Sequence, residues 1–316
     1  MVSIWKKQAG VLLLALFVLT GLGIAQDDST TGWKTSMVFD FTTTQTAYSD
    51  SWDGGEAGAL SWVSNLNATA EKQLSPSFDL KSTLKLSFGQ TLSQKFDDTD
   101  PSVDTYWEKP VKSTDLIDWE NVGRITKNWV VDPYVAFRLE SQFLDAKVAN
   151  KKLYLNPVLL TESAGIARKL YSKDKNEIIS RLGFAIRQMM QRTVDSVVTV
   201  DGLDTTTAYS TSSTTLHDAG LESVTDVKFV FSEDLQWTSK LTLYKAFSFS
   251  DKDAVKGTDA EDYWKAIDVN WENRVTASIT KIVSVNFYTQ ILYDKQISVK
   301  GRFKETLGIG ITFKLM

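Results

Sequence analysis

The sequence predicts an all-β chain: a transmembrane, antiparallel, up-and-down β-barrel of about 12 strands over residues 26–316, behind a signal peptide at 1–25. Three observations predict it. The chain opens on a secretory leader. Nearly everything after the leader alternates apolar and polar residues with period 2. The connections between the alternating segments are alternately short and long.

The leader is "MVSIWKKQAGVLLLALFVLTGLGIAQ", with Lys6 and Lys7, an apolar run from Val11 to Leu19, and small residues at Gly23 and Ala25. A positive n-region, a short h-region and small residues before the cut describe a signal peptide, with cleavage expected after Ala25. The run falls short of the roughly 20 apolar residues that a membrane-spanning helix needs. There is no Cys, which excludes a lipid-anchored cysteine and any disulfide. The net charge of −4 and pI near 5.3 leave no basic footprint for nucleic acid.

Twelve strands are expected, at 36–45, 58–71, 77–93, 112–127, 132–144, 157–171, 176–191, 218–232, 234–248, 262–279, 281–294 and 298–315. The patterns are explicit. "IISRLGFAIRQMM" sets Ile178, Leu182, Phe184, Ile186 and Met190 against Arg181, Gly183 and Arg187. "AIDVNWENRVTASI" sets Ile267, Val269, Trp271 and Val275 against Asp268, Asn270, Glu272 and Arg274. "SVNFYTQILY" sets Val285, Phe287 and Ile291 against Asn286, Tyr288 and Gln290. The segments 112–127 and 157–171 are weakly patterned. The short connections, such as "SKDK", alternate with long ones around 46–57, 94–111, 145–156, 192–217 and 249–261. Of these, 201–215, "DGLDTTTAYSTSSTT", reads as a flexible, low-complexity outer loop.

That alternation, with an even strand count, is the pattern of outer-membrane barrels and puts both termini on the periplasmic side. The final "ETLGIGITFKLM" alternates to its end, as a strand that closes a barrel against the first must. It also resembles the C-terminal strand read by the barrel-assembly machinery, although that pattern ends on an aromatic and this chain has Met316, with Phe313 three residues earlier. Aromatics gather at both strand ends: Phe247, Phe249, Tyr263, Trp264 and Tyr293 at the loop side, and Trp129, Tyr171, Trp237 and Phe313 at the turn side. Two such bands are what interfacial girdles require. Gly183, Gly308 and Gly310 fall on the polar face, where a curved wall must make room.

"YSDSWDGGEAGALSWVSNLNATAEKQ", "KSTDLIDWENVGR", "DPYVAFRLESQF", "NPVLLTESAGIARKL" and "RLGFAIRQ" resemble a DUF3078-type family of Bacteroidota outer-membrane proteins of unknown function. The resemblance implies an outer-membrane barrel and brings no substrate or catalytic residue. "WDGG", Trp52 to Gly55, would then lie in the first outer loop, read as a tight turn capped by an aromatic.

The chemistry is sparse, and no enzyme is expected. The single His217 sits in "LHDAG", which lacks the Ser of a phospholipase His-x-Ser dyad. His217-Asp218 echoes the His/Asp pairing of omptin-like proteases only superficially. "FDDTDPSVD" offers Asp98, Asp100 and Asp104 as weak metal candidates, but it has neither the turn Gly nor the trailing Glu of a Ca²⁺ loop. No cofactor is implied.

The polar face carries the functional expectation. Lys81, Lys85, Arg138, Glu140, Arg181, Arg187, Asp268, Glu272 and Arg274 are expected to line the lumen. Unpaired, they would need water and a pore. Paired, they would fill the barrel as salt-bridge ladders. About 8 strands leave a filled interior and 16 an aqueous channel, so 12 admits both. A passive pore for small solutes is the first expectation. A closed barrel acting through its outer loops is the alternative. Expected partners are outer-membrane lipids, the assembly machinery and small solutes, with no nucleic acid.

Overall fold

A computed structural model describes residues 32–47, 58–96, 105–127, 129–148, 151–201 and 204–315. Fifteen strands are present: β1 (Lys34–Thr46), β2 (Ala59–Ser75), β3 (Phe78–Phe96), β4 (Thr105–Trp107), β5 (Val111–Ile125), β6 (Asp132–Ser141), β7 (Leu144–Val148), β8 (Lys151–Tyr154), β9 (Val158–Lys173), β10 (Asn176–Asp201), β11 (Asp204–Val230), β12 (Leu235–Phe249), β13 (Ile267–Ser278), β14 (Val283–Tyr293) and β15 (Arg302–Lys314). Every pairing is antiparallel. β1, β2, β3, β5, β6, β9, β10, β11, β12, β13, β14 and β15 follow one another around a ring, and β15 returns to β1. All lie in the unit Lys34–Met316. This is the expected up-and-down barrel, with 12 strands in its wall.

The wall has inverted polarity. Along β10, Leu182, Phe184 and Ile186 are exposed, Phe184 at 66 %, while Arg181, Gly183 and Ala185, which alternate with them, are buried. Along β15, Phe303, Leu307, Ile309, Ile311 and Phe313 all face outward. Asp40, Asp79, Asp118, Arg138 and Lys240 are buried inside. A soluble protein hides its large apolar side chains and keeps unpaired charge at the surface. A membrane-spanning barrel alternates apolar-out with polar-in, as here.

Aromatics mark one rim. Tyr171, Phe231 and Trp237 each stack on Phe229 at the short-turn end, with centroids 5.8–6.2 Å from it. At the opposite end two expected girdle members behave differently. Phe249 is buried and stacks on Trp264 at 6.2 Å. Trp264 itself sits in the 3-10 turn Tyr263–Lys265, so the predicted strand 262–279 starts only at Ile267.

Gly183 and Gly165 face each other across β9 and β10. A Cβ on Gly183 would lie 2.4 Å from the Ala164 carbonyl oxygen and 2.6 Å from the Tyr134 hydroxyl. The missing side chain is what lets the Tyr134 ring into the lumen.

Two expectations about loops are corrected. The connection expected at 192–217, with 201–215 read as a flexible polar loop, is strand over 192–201 and 204–217. The β9 ladder on β10 ends at Met190↔Val158, and the β12 ladder on β11 ends at Asp218↔Phe249. Beyond them, Gln191–Asp201 and Asp204–Thr214 pair only with each other. At ~3.4 Å per residue this two-stranded blade extends roughly 35 Å beyond the β9 and β12 ladders. Val and Thr dominate it, and branching at Cβ favours extended backbone over disorder. Thr193 and Ser212 link across it through their hydroxyls at 2.7 Å. The connection 145–156 likewise folds into the hairpin β7–β8. Its base is tied to the blade by Asn156, which accepts from the Arg192 backbone N–H at 2.7 Å and donates to Asp145 at 2.8 Å. The signal peptide, the "WDGG" turn and Met316 lie outside the described residues.

Candidate functional site

The lumen holds the charged residues, and β5 is its hub. Asp118 and Glu120 occupy successive inward positions of β5 and reach different walls. Glu120 accepts from Arg181 on β10 at 2.7 Å and from Lys240 on β12 at 2.8 Å. Asp118 takes a two-pronged grip from Arg138 on β6, at 2.9 and 3.0 Å. Arg138 also holds Glu140 at 3.0 Å. Lys85 on β3 lies 4.0 Å from Asp118 and 3.2 Å from Glu272 on β13.

Two chains of charge therefore cross the lumen. One runs Glu272–Lys85–Asp118–Arg138–Glu140 and the other Arg181–Glu120–Lys240. Their four cations and four carboxylates balance. In the first, Lys85, Asp118 and Arg138 follow the neighbouring strands β3, β5 and β6. The link to Glu272 makes the crossing: in the ring, β3 and β13 are separated on one side by β2, β1, β15 and β14. In the second, Glu120 on β5 reaches β10 and β12, neither of them its neighbour. Asp118 is 3 % exposed and Arg138 7 %. A carboxylate with a bidentate guanidinium is held in one geometry by both charge and direction.

Further pairs lie toward the two ends. Arg187 donates to Asp218 through Nε and Nη2, each at 2.9 Å, and to Asp268 through Nη1 at 2.8 Å. Its guanidinium stacks 3.5 Å from the Tyr244 ring centroid, and the Tyr244 hydroxyl donates to Asp218. Toward the short turns, Arg124 pairs with Asp79 at 3.2 Å. Arg274 lies 3.7 Å from Asp40 and over the Tyr288 ring.

Of the residues expected in the lumen, Lys85, Arg138, Glu140, Arg181 and Glu272 join the central crossing. Arg187 and Asp268 join the cluster toward the long-connection end, and Arg274 pairs separately. Lys81 faces inward opposite Glu71 in register and forms no ion pair among the described residues. The hub itself, Asp118 and Glu120, was not expected. Leu116 and Val122 share its inward face and break the polar alternation that would have revealed it.

His217 and Asp218 are consecutive strand residues and so point to opposite faces. His217 is exposed, while Asp218 turns inward to Arg187. Asp98, Asp100 and Asp104 lie outside the described residues. Among the described residues no group of three His, Cys, Asp or Glu side chains is placed to hold a metal ion.

No family model and no curated protein matches the chain. Solved outer-membrane structures align along most of the chain at low TM-score. The translocator domain of the autotransporter NalP from Neisseria meningitidis is 10 % identical, with a TM-score of 0.35 and coverage of 98 % of each chain. An outer membrane channel from Pseudomonas putida F1 is 12 % identical, with a TM-score of 0.38, covering 92 % of this chain and 97 % of that one. The β domain of the Bordetella autotransporter BrkA is 9 % identical, with a TM-score of 0.32, covering 90 % and 98 %. Likeness this distant assigns neither substrate nor partner to this chain.

Proposed function

We propose that the chain is a closed outer-membrane barrel that acts through the structures on its outer rim, without transport or catalysis. One observation carries this over the pore reading: charge pairs span the lumen from wall to wall, with Glu120 joining Arg181 and Lys240 at 2.7 and 2.8 Å. A water-filled pore would leave such side chains solvated along its own wall. Here they meet in the middle, and their near-complete burial supports a lumen filled by its own residues.

The outward apolar face supports residence in a bilayer, and the leader expected at 1–25 supports export. In a Gram-negative cell this combination means the outer membrane, with both termini periplasmic and the blade outside. The blade and the β7–β8 hairpin then form the surface available to partners.

Labelling tests the orientation. The chain has no Cys, so single cysteines are clean probes. Ser210→Cys on the blade should react with a membrane-impermeant maleimide on intact cells. Ser232→Cys in a short turn should react only after permeabilisation. The reverse pattern, or equal labelling of both, overturns the reading.

A further inference from the structure

One edge of the blade is open, and it opens beside a cleft. β9 covers β10 as far as Met190↔Val158. The next rung is closed by a side chain instead of a strand. Asn156, fully buried, accepts from the Arg192 backbone N–H at 2.7 Å and donates to the Arg192 carbonyl at 2.9 Å. Its amide stands in for one peptide unit of a neighbouring strand.

This contact fixes which way the following groups face. In an antiparallel ladder, alternate residues turn both N–H and C=O to the same side. Arg192 turns them away from β11, so Val194, Ser196, Val198 and Val200 do the same along a register that runs to Asp201↔Asp204. Among the described residues no strand meets them. The longer connections outside the described residues, 48–57 and 97–104, leave from strands at least four places away around the ring. Natural sheets guard an open edge with Lys, Pro or a bulge. Residues 191–201 and 204–214 hold no Lys and no Pro, and their ladder has no bulge. Such an edge can take an added strand.

The foot of the edge sets the direction and chemistry of that strand. A cleft of about 160 Å³ lies between the blade and the β7–β8 hairpin, and Lys147, Lys151 and Arg192 line it. Asp145 lines it too, but is buried and holds the Asn156 amide at 2.8 Å. Above Arg192 every charged residue of the blade is acidic: Asp195, Asp201 and Asp204. A strand added antiparallel to β10 runs down from the tip, in line with β9, and ends at this cleft. Acids above and cations at the foot match a strand with positive charge in its upper part and a carboxylate at its end.

We propose that the β10 edge of the blade takes an extended peptide as an added antiparallel strand, with the peptide's free C-terminal carboxylate in the cleft among Lys147, Lys151 and Arg192. This rests on the outer-rim reading above and names the partner's chemistry. Backbone pairing supplies the affinity, and the carboxylate fixes direction and register.

The probe is the fluorescent peptide KTKTVTVTV, ending in a free carboxylate or in an amide, titrated by anisotropy onto the refolded protein in nanodiscs. The acid should bind on the order of tenfold more tightly than the amide, the gain of a charge-assisted contact. Lys147→Gln with Lys151→Gln should remove that preference and leave the amide's affinity unchanged. Val194→Pro should abolish binding of both, because it removes an edge N–H. Thr211→Pro lies on the same rung at the opposite edge, where its N–H faces away from β10, and should bind like the unaltered chain. Equal affinity for acid and amide overturns the proposal, as does binding that survives Val194→Pro or is lost equally in Thr211→Pro. So does a dimer in native mass spectra that Val194→Pro dissolves while no peptide binds, since a second copy would then occupy the edge. If Ser210→Cys labels on intact cells and no peptide binds, this proposal falls and the outer-rim reading stands. If the peptide binds in nanodiscs but Ser210→Cys is reached only after permeabilisation, the outer-rim reading alone falls.

Discussion

Replacing Glu120 with Gln should destabilise the barrel far more than a single surface charge would. The substitution keeps the shape and removes the charge that joins Arg181 and Lys240. The side chains of these three residues are 14 %, 4 % and 10 % exposed. Removing one partner of a buried pair costs roughly 3–5 kcal/mol, because the remaining charge is left uncompensated. Arg181 keeps a second carboxylate, Asp226, at 3.6 Å, and Asp226 is 45 % exposed. That residual contact moves the expectation to the lower end, about 3 kcal/mol, or on the order of a hundredfold in the folding constant. The assay is reversible urea unfolding in lipid vesicles, followed by Trp fluorescence. Glu177→Gln is the control: it breaks a pair with Lys169 whose side chains are 34 % and 44 % exposed, and the loss should stay within about 1 kcal/mol. If Glu120→Gln costs no more than Glu177→Gln, the lumen is wet at its centre and the reasoning fails.

Three other outcomes are expected. Leu182→Arg, at an outward position in mid-wall, should cost about 2–4 kcal/mol in lipid vesicles; no loss there would mean that this face does not meet hydrocarbon. Gly183→Val should destabilise by roughly 1–3 kcal/mol through overpacking against the Ala164 carbonyl and the Tyr134 ring, and Tyr134→Ala in the same chain should recover part of that loss in the same unfolding assay. Replacing 195–210 with a two-residue Asn-Gly turn should leave heat-modifiable gel migration intact, because the removed rungs pair only within the blade; loss of migration would make the blade part of the folding unit.

The wall was legible in the sequence because period 2 is set by the backbone. Ile178, Leu182, Phe184 and Ile186 had to share a face, and Arg181 and Arg187 the other. The short turns were legible for the same reason. What escaped depended on distance across the barrel. Nothing in a linear pattern brings Lys85 to Glu272, or Glu120 to Lys240; closure of the ring does. The hub on β5 was hidden by Leu116 and Val122, which are inward-facing and apolar. The blade escaped because Ser and Thr runs share their composition with disordered segments, and only the cross-strand register of Gln191–Asp201 on Asp204–Thr214 distinguishes them.

The closed lumen is tested most directly by single-channel recording of the refolded protein in a planar bilayer, with heat-modifiable migration confirming that the barrel has formed. The inserted barrel should carry no steady current, and Glu120→Gln, which loosens the crossing, should produce intermittent openings. A steady open-state current from the unaltered chain would mean a continuous aqueous path past Glu120, Arg181 and Lys240, and would contradict the closed-barrel reading.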